Sequence, residues 1–242
     1  MFFLNFLKIK KIRFLIWDVD RTLWSSTKLA KIIKEEFIIY LKKFIKRSKK
    51  EVFNLFNTES KKWESWSKTV SFLTGIEEER IILDIERKIN KYKYLKKDKK
   101  LLEVFNKLKQ YRHLILTNGS HKNTLLSLQS LGFPLNAIND SFFELYPFEK
   151  IFSIEKTCAA KPKKEAFLKI LEYTNMLPEN HLIIGDSFEL DIKPAKKLGM
   201  RTCLVGKINN NSDFSVLEVY NIPLIFSLQE KFNYFFKKII PL

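Results

Sequence analysis

An apolar run of strand length that ends in two carboxylates constrains this chain more than any other feature. Phe14-Leu15-Ile16-Trp17 leads directly into Asp18-Val19-Asp20-Arg21-Thr22-Leu23. Side chains two apart on an extended segment point the same way, so Asp18 and Asp20 converge where a core strand reaches its carboxyl end. In open α/β sheets that edge forms the ligand crevice. Two neighbouring carboxylates repel and push one pKa up unless a cation or a division of labour separates them. The pair therefore asks for a metal ion.

Strand-like runs recur at 12–17, 113–117, 150–154, 182–184 and 202–205, and amphipathic helical patterns separate most of them. Leu101, Leu102, Phe105 and Leu108 mark one helix face before the second run; Leu125, Leu128 and Leu131 mark another after it, with Gly132 as its stop. Strands alternating with helices predict an α/β fold, a doubly wound parallel sheet covered on both faces.

Residues 25–96 read differently, with no convincing strand. Ile33, Phe37, Tyr40, Leu41, Phe44 and Ile45 share one helical face, Trp63, Trp66, Val70 and Leu73 a second, and Ile81, Ile82, Ile85 and Ile89 a third. This pattern predicts an all-helical subdomain or lid inserted in a core formed by 1–24 and 97–242. The Trp63 and Trp66 stripe reads first as packing, and second as part of a lid that selects substrate. Toward the end, 209–212 reads as a loop, Ile222–Ile225 as an edge strand, and Leu228, Phe232, Phe235 and Phe236 as one face of a closing helix.

A chain of 242 residues can hold one domain with a large insertion or two small ones. Its formal charge of +17 would draw phosphates, nucleic acid or an anionic membrane by long-range steering. Lys far outnumbers Arg, however, and Ile, Phe and Asn are also abundant, as a base-biased genome would produce; solvated lysines need no partner. Cys158 and Cys203 are too few for a disulfide scaffold and lack zinc-ligand spacing. Both read as small core residues, and a cytoplasmic location is the default expectation. The apolar opening at 1–7 lacks a signal-peptide cleavage site, and no run approaches the roughly 18 apolar residues of a spanning helix. No membrane partner is expected.

Four motifs fall at the ends of the predicted strands. Asp18-x-Asp20-x-Thr22 follows the first. Leu116-Thr117-Asn118-Gly119 follows the second, where a short hydroxyl and a backbone turn can donate to an anion. Lys161-Pro162 precedes a helix beginning near Lys163. Gly185-Asp186-Ser187-Phe188-Glu189-Leu190-Asp191 follows the fourth strand.

In this order and context the motifs resemble those of the haloacid dehalogenase superfamily, and more particularly its phosphatases. The resemblance covers nearly the whole chain outside the insertion, which itself resembles the superfamily's first class of helical cap. It implies a Rossmann-like core and an aspartyl-phosphate mechanism. Asp18 would be the nucleophile, competent once charge on the phosphoryl oxygens is neutralised. Asp20 would protonate the leaving alkoxide and then activate water, a task that requires a raised pKa. Asp18, the Asp20 backbone carbonyl and Asp186 would hold Mg²⁺, with the all-oxygen donors that suit this hard ion. Lys161 would neutralise nucleophile and phosphoryl group, while Thr117 and Asn118 would bind phosphate. Thr22 would steady Asp20 or its turn. Ser187 and Asp191 would support the metal site, although Asp191 could equally cap the helix that follows.

Asp20 sets the chain apart from the dehalogenase branch, whose leaving halide needs no proton. Arg21 stands where capped phosphatases commonly have Gly, so it can restrict or charge the entrance. His121 near the second motif is left without a role, because the carboxylates already fill the acid and base positions. Gly206-Lys207 lacks the upstream Gly and following Ser or Thr of a P-loop.

The implied function is a Mg²⁺-dependent phosphatase for a small phosphorylated metabolite such as a sugar phosphate, phosphoglycolate or nucleoside monophosphate. A phosphomutase of the same superfamily would return the group to a second hydroxyl. A further alternative takes the charge as functional: a polyanion-binding protein, or a phosphatase for nucleic-acid ends, with Lys42–Lys50 and Lys91–Lys100 as its surface. The residues leave monomer and homodimer equally open.

Overall fold

The computed structural model describes residues 11–63, 65–139 and 142–227. Its strands are β1 (Phe14–Trp17), β2 (Arg112–Leu116), β3 (Leu135–Asn139), β4 (Phe142–Leu145), β5 (Phe148–Phe152), β6 (His181–Gly185), β7 (Arg201–Val205) and β8 (Phe214–Val216). They form one sheet in the order β3-β4-β5-β2-β1-β6-β7-β8. The six strands from β5 to β8 in that order run parallel, whereas β3 and β4 are antiparallel additions at one edge. The expected doubly wound α/β sheet is therefore present. The 135–148 stretch, to which the sequence pattern assigns no role, supplies that antiparallel edge.

β1 is central because each of its side chains is apolar and buried, a requirement for a parallel strand covered on both sides. Its alternation assigns the two cores. Leu15 and Trp17 join Ile115, Leu182 and Ile184 on one face, while Phe14 and Ile16 join Leu114, Leu116 and Ile183 on the other. Trp17 is fully buried, and its indole N–H donates to His113 Nδ1 at 3.1 Å. Since that indole can only donate, His113 carries its proton on Nε2, which donates to the Leu108 carbonyl at 3.1 Å. Burial pushes the His113 pKa down to about 4, so this imidazole is a neutral core group.

Between β1 and β2 lie α1 (Thr27–Lys42), α2 (Lys49–Trp63), α3 (Trp66–Thr74), α4 (Glu78–Glu86) and a 3₁₀ turn at Lys91–Tyr94. Ser26 and Ser65 cap α1 and α3 by accepting N–H bonds from Leu29 and Lys68. Phe37, Leu41, Val52, Phe56, Val70, Ile81 and Ile85 pack between these helices in the same core cluster as Trp17. Phe44, placed by the pattern on the buried face of α1, is instead half exposed, because the helix ends at Lys42.

The remaining helices are α5 (Lys99–Lys107), α6 (His121–Leu131), α7 (Ile154–Thr157), α8 (Lys164–Thr174) and α9 (Lys193–Lys197). Gly132 ends α6 at φ 103°, the left-handed stop that its sequence position signals.

Two expectations need correction. Ile222–Ile225 is not an edge strand: residues 222–227 are helical, and β8 takes the sheet edge instead. Pro223 explains this, since it cannot donate to a ladder but suits the first turn of a helix. Cys203 is buried, whereas Cys158 is exposed as the left-handed residue, φ 53°, that ends α7. The proposed closing helix at 228–236 and the apolar opening at 1–7 lie outside the described residues. Among the described residues no helix is long and apolar enough to cross a membrane.

Candidate active site

β1 hands the chain to the site at the carboxyl edge of the sheet. The Asp18 N–H continues the ladder by donating to the Ile184 carbonyl at 2.9 Å, and its side chain is buried. Thr22 Oγ1 donates to Asp18 Oδ2 at 2.7 Å, and Lys161 Nζ donates to Asp18 Oδ1 at 2.7 Å. Thr22 thus steadies Asp18, where the motif reading assigns it to Asp20 or to the turn.

Lys161 sits before α8 in a loop gripped from two sides. The Asn118 side chain brackets its backbone: Nδ2 donates to the Lys161 carbonyl at 3.1 Å, and Oδ1 accepts the Lys161 N–H at 2.7 Å. From the other side Glu79 of α4 accepts the Ala160 N–H at 2.9 Å and pairs with Lys163. The Asn118 amide is therefore committed to positioning Lys161, leaving its backbone as the group it can turn toward an anion. Thr117 Oγ1 accepts the Gly119 N–H at 3.0 Å while its own hydroxyl hydrogen is free to point elsewhere.

β6 ends at Gly185, and Asp186 follows. Asp191 folds back from the π-helical turn Phe188–Ile192 so closely that a Cβ on Gly185 would meet its carboxyl at 2.4 Å. No side chain other than hydrogen fits there. Asp191 Oδ1 accepts from Lys161 Nζ at 2.6 Å and Oδ2 from the Ser187 N–H at 3.1 Å. The cap of the turn is Ser187, whose Oγ accepts the Leu190 N–H at 3.2 Å. Asp191 is not a helix cap; its Oδ1 pairs with Lys161.

Carboxylate oxygens of Asp18, Asp186 and Asp191 lie within 4.8 Å of one another. Burial, reinforced by the Asp18 charge, pushes Asp186 up to about 7; burial also raises Asp191 to about 6 against the pull of Lys161. Burial alone would depress the Lys161 ammonium, but Asp18 and Asp191 overcome it and hold the group above the ordinary lysine value. Three crowded carboxylates face one buried ammonium and one exposed guanidinium, Arg21, which reaches Asp186 Oδ2 at 2.7 Å. Such an oxygen-only, electron-rich set fits a hard divalent cation such as Mg²⁺.

Asp20 lines the same cavity but belongs to a different charge cluster. Its carboxylate pairs with Lys91, which also meets Glu86 at 2.6 Å. Glu86, at the end of α4, accepts the Ser120 N–H at 3.1 Å and Asn123 Nδ2 at 3.0 Å. Burial raises the Asp20 pKa and Glu86 adds to it, while Lys91 pulls against both. Lys91 is 4% exposed, so it is no part of a basic surface; this corrects the assignment of the whole Lys91–Lys100 run to a polyanion face. Lys91 and Glu86 are functional candidates that sequence reasoning misses. Lys91 is hidden in a run of lysines, although a carboxylate adjoining the Ile82 and Ile85 face was a readable signal for Glu86.

Arg21 occupies a left-handed backbone at φ 69°, which favours glycine. Lys207 also lines the cavity, whereas His121 is absent from its lining. The cavity measures about 410 Å³, and Asp18, Asp20, Thr117, Asn118, Lys161 and Asp186 are among the residues that line it.

A parallel α/β sheet with these acidic groups and Lys161 gathered at its carboxyl edge is the architecture of a class of α/β hydrolases. The chain belongs to the haloacid dehalogenase-like hydrolases, whose family profile matches residues 12–199. It is 31% identical over 136 residues to a glyceraldehyde 3-phosphate phosphatase of Methanocaldococcus jannaschii, a match spanning about half of each protein, 51% of this chain and 55% of the relative. A HAD phosphatase from Thermococcus onnurineus shares the fold at a TM-score of 0.57 with 19% identity, covering 89% of this chain and 98% of that one. An L-2-haloacid dehalogenase from Xanthobacter autotrophicus shares it at 0.53 with 12% identity, covering 89% and 98%. A HAD-hydrolase from Bacillus subtilis, solved bound to magnesium, does so at 0.51 with 22% identity, covering 88% and 98%.

Proposed function

We propose that the protein is a Mg²⁺-dependent phosphatase that hydrolyses a small phosphomonoester through an aspartyl-phosphate on Asp18. The observation that carries this reading is the separation of the two motif aspartates within one cavity. Asp18 is immobilised by Thr22 and Lys161 beside Asp186, while Asp20 keeps 32% side-chain exposure and a raised pKa. One acid is built to attack and the other to carry a proton.

Asp18 Oδ attacks phosphorus as the bond to the leaving oxygen breaks, and Asp20 delivers a proton to that oxygen. The Asp20 carboxylate then takes a proton from water, which attacks the phosphorus, frees inorganic phosphate and restores Asp18. Lys161, Thr117 and the Asn118 backbone bind the equatorial oxygens. Asp18, Asp186 and the Asp20 carbonyl would hold Mg²⁺, which would supply charge neutralisation of the phosphoryl group. Residues 25–96 act as the cap that closes the cavity over a small substrate and keeps bulk water out. The phosphatase named among the relatives supports the reaction class, and Asp20 supports a leaving group that needs a proton.

Phosphate release from a panel of esters, assayed with Mg²⁺, with EDTA and with Asp18→Asn, tests the assignment. Both EDTA and the substitution are expected to abolish release from every ester, the latter by on the order of 10⁴-fold, with thermal unfolding preserved. Turnover retained by the variant refutes the nucleophile.

A further inference from the structure

The two sides of the cavity are chemically unlike. Besides the carboxylates of the sheet edge, the lining includes Ile33 and Phe37 of α1, Trp66 of α3, and Ile82 and Ile85 of α4, all contributed by the helices of the insertion. Phe37, Ile82 and Ile85 are buried, whereas Ile33 and Trp66 are only half buried and keep apolar surface open. Trp66 is braced edge-on by Phe37, with ring centres 6.1 Å apart.

The Ser65, Ser67, Glu86 and Lys91 side chains of this lining are already engaged, which leaves the Trp24 indole N–H and Lys207 as its polar groups outside the charged edge. The Ser65 and Ser67 hydroxyls lie 3.0 Å apart, and both donate to Glu78 Oε1, at 3.3 and 2.7 Å. Glu86 and Lys91 are bound to each other, and Lys91 also to Asp20. A leaving group rich in hydroxyls would lose water against this wall and find few partners. An apolar body would gain from the surface it covers.

We propose that this site selects phosphomonoesters of alcohols with a compact apolar body, alkyl or arylalkyl, over those of polyhydroxylated alcohols. The inference rests on the phosphatase reading and narrows its substrate class. It departs from the triose phosphate named for the archaeal relative. At about 410 Å³ the cavity has room for the phosphoryl group together with a compact apolar body. The phosphoryl end meets the charged edge in either case, so selection acts on the alcohol.

The test compares kcat/KM for 2-phenylethyl and butyl phosphates with kcat/KM for glycerol 3-phosphate and glyceraldehyde 3-phosphate. All four are esters of primary alcohols, and p-nitrophenyl phosphate serves as the activated reference. The apolar esters are expected to lead by at least about 10-fold. In Ile33→Asn and Trp66→Ala this lead should shrink toward unity. Because each ratio is taken within one preparation, loss of folded protein cannot imitate the change. A preference for the hydroxylated esters, or a lead that both variants leave intact, overturns the inference while phosphate release still upholds the phosphatase. Absence of release from every ester, p-nitrophenyl phosphate included, overturns the phosphatase reading itself.

Discussion

Two buried lysines divide the site between the sheet edge and the helical insertion. Lys161 belongs to the sheet side and bridges Asp18 and Asp191, all three being almost completely buried. Lys91 comes from the insertion and bridges Asp20 and Glu86, but Asp20 is partly open to the cavity. Each ammonium keeps its charge because two carboxylates outweigh the cost of burial. The difference lies in which acid is held. The sheet side clamps Asp18, the proposed nucleophile, from two directions; the insertion holds Asp20, the proposed proton carrier, through one contact that originates outside the sheet. Asp20 therefore depends on the insertion directly, through Lys91, whereas Asp18 feels it only through Glu79, which grips the loop that carries Lys161.

The comparison breaks most decisively at Lys161. Lys161→Met should lower kcat by about 10²–10³ and cost about 3–5 kcal/mol in urea unfolding, because Asp18 and Asp191 are left facing each other without a cation. A milder loss than that of the corresponding Lys91 variant would reverse the ranking of the two sides.

His113 sharpens the rule that a charge survives burial only where acids face it. With no carboxylate partner, its pKa is pushed down to about 4. The unfolded imidazole titrates near its ordinary value of about 6.5. Stability from the neutral ring is thus complete above that value and is lost as pH falls toward 4, by about 3 kcal/mol in total. His113→Gln, compared with the parent in urea at pH 7.5 and 4.5, should remove that part of the acid loss. An unchanged acid limb would show that the ring is not buried neutral.

Lys91→Met should cost less than Lys161→Met, about 1–3 kcal/mol, since Asp20 can turn to water. Its activity loss should be larger for alkyl phosphates than for p-nitrophenyl phosphate, whose leaving group needs no proton. Equal losses would detach Lys91 from the acid step.

The smallest effect is expected at Arg21, which straddles the two sides. Arg21→Gly relieves a left-handed backbone, φ 69°, and removes the cation paired with Asp186. The variant should gain about 1 kcal/mol in thermal unfolding and bind Mg²⁺ more tightly by calorimetry. Weaker binding would make Arg21 a support of the metal site instead of its competitor.

The parallel sheet and the sheet side of the site were legible because they are written in short, local patterns. Uninterrupted apolar runs mark strands buried on both faces, and each motif follows such a run directly, so position along the chain is position at the sheet edge. Lys161 was readable from its Pro162 neighbour and its place between two motifs. Lys91 was not, since nothing local distinguishes one lysine in a run from the next. Ile222–Ile225 failed for a related reason: an apolar run of strand length outweighed Pro223, whose preference for a helix's first turn decided the outcome.

By itself, the sequence determined the α/β class, the strand that carries Asp18, and the identity of the groups converging on it. Tertiary structure alone decided that Asp18 and Asp20 belong to separate charge clusters. Strand parity places both side chains on one face, but β1 ends at Trp17, and Asp20 meets Lys91, 71 residues away in sequence. A contact of that range depends on how the helices of the insertion pack over the sheet edge, and no periodicity along the chain encodes it.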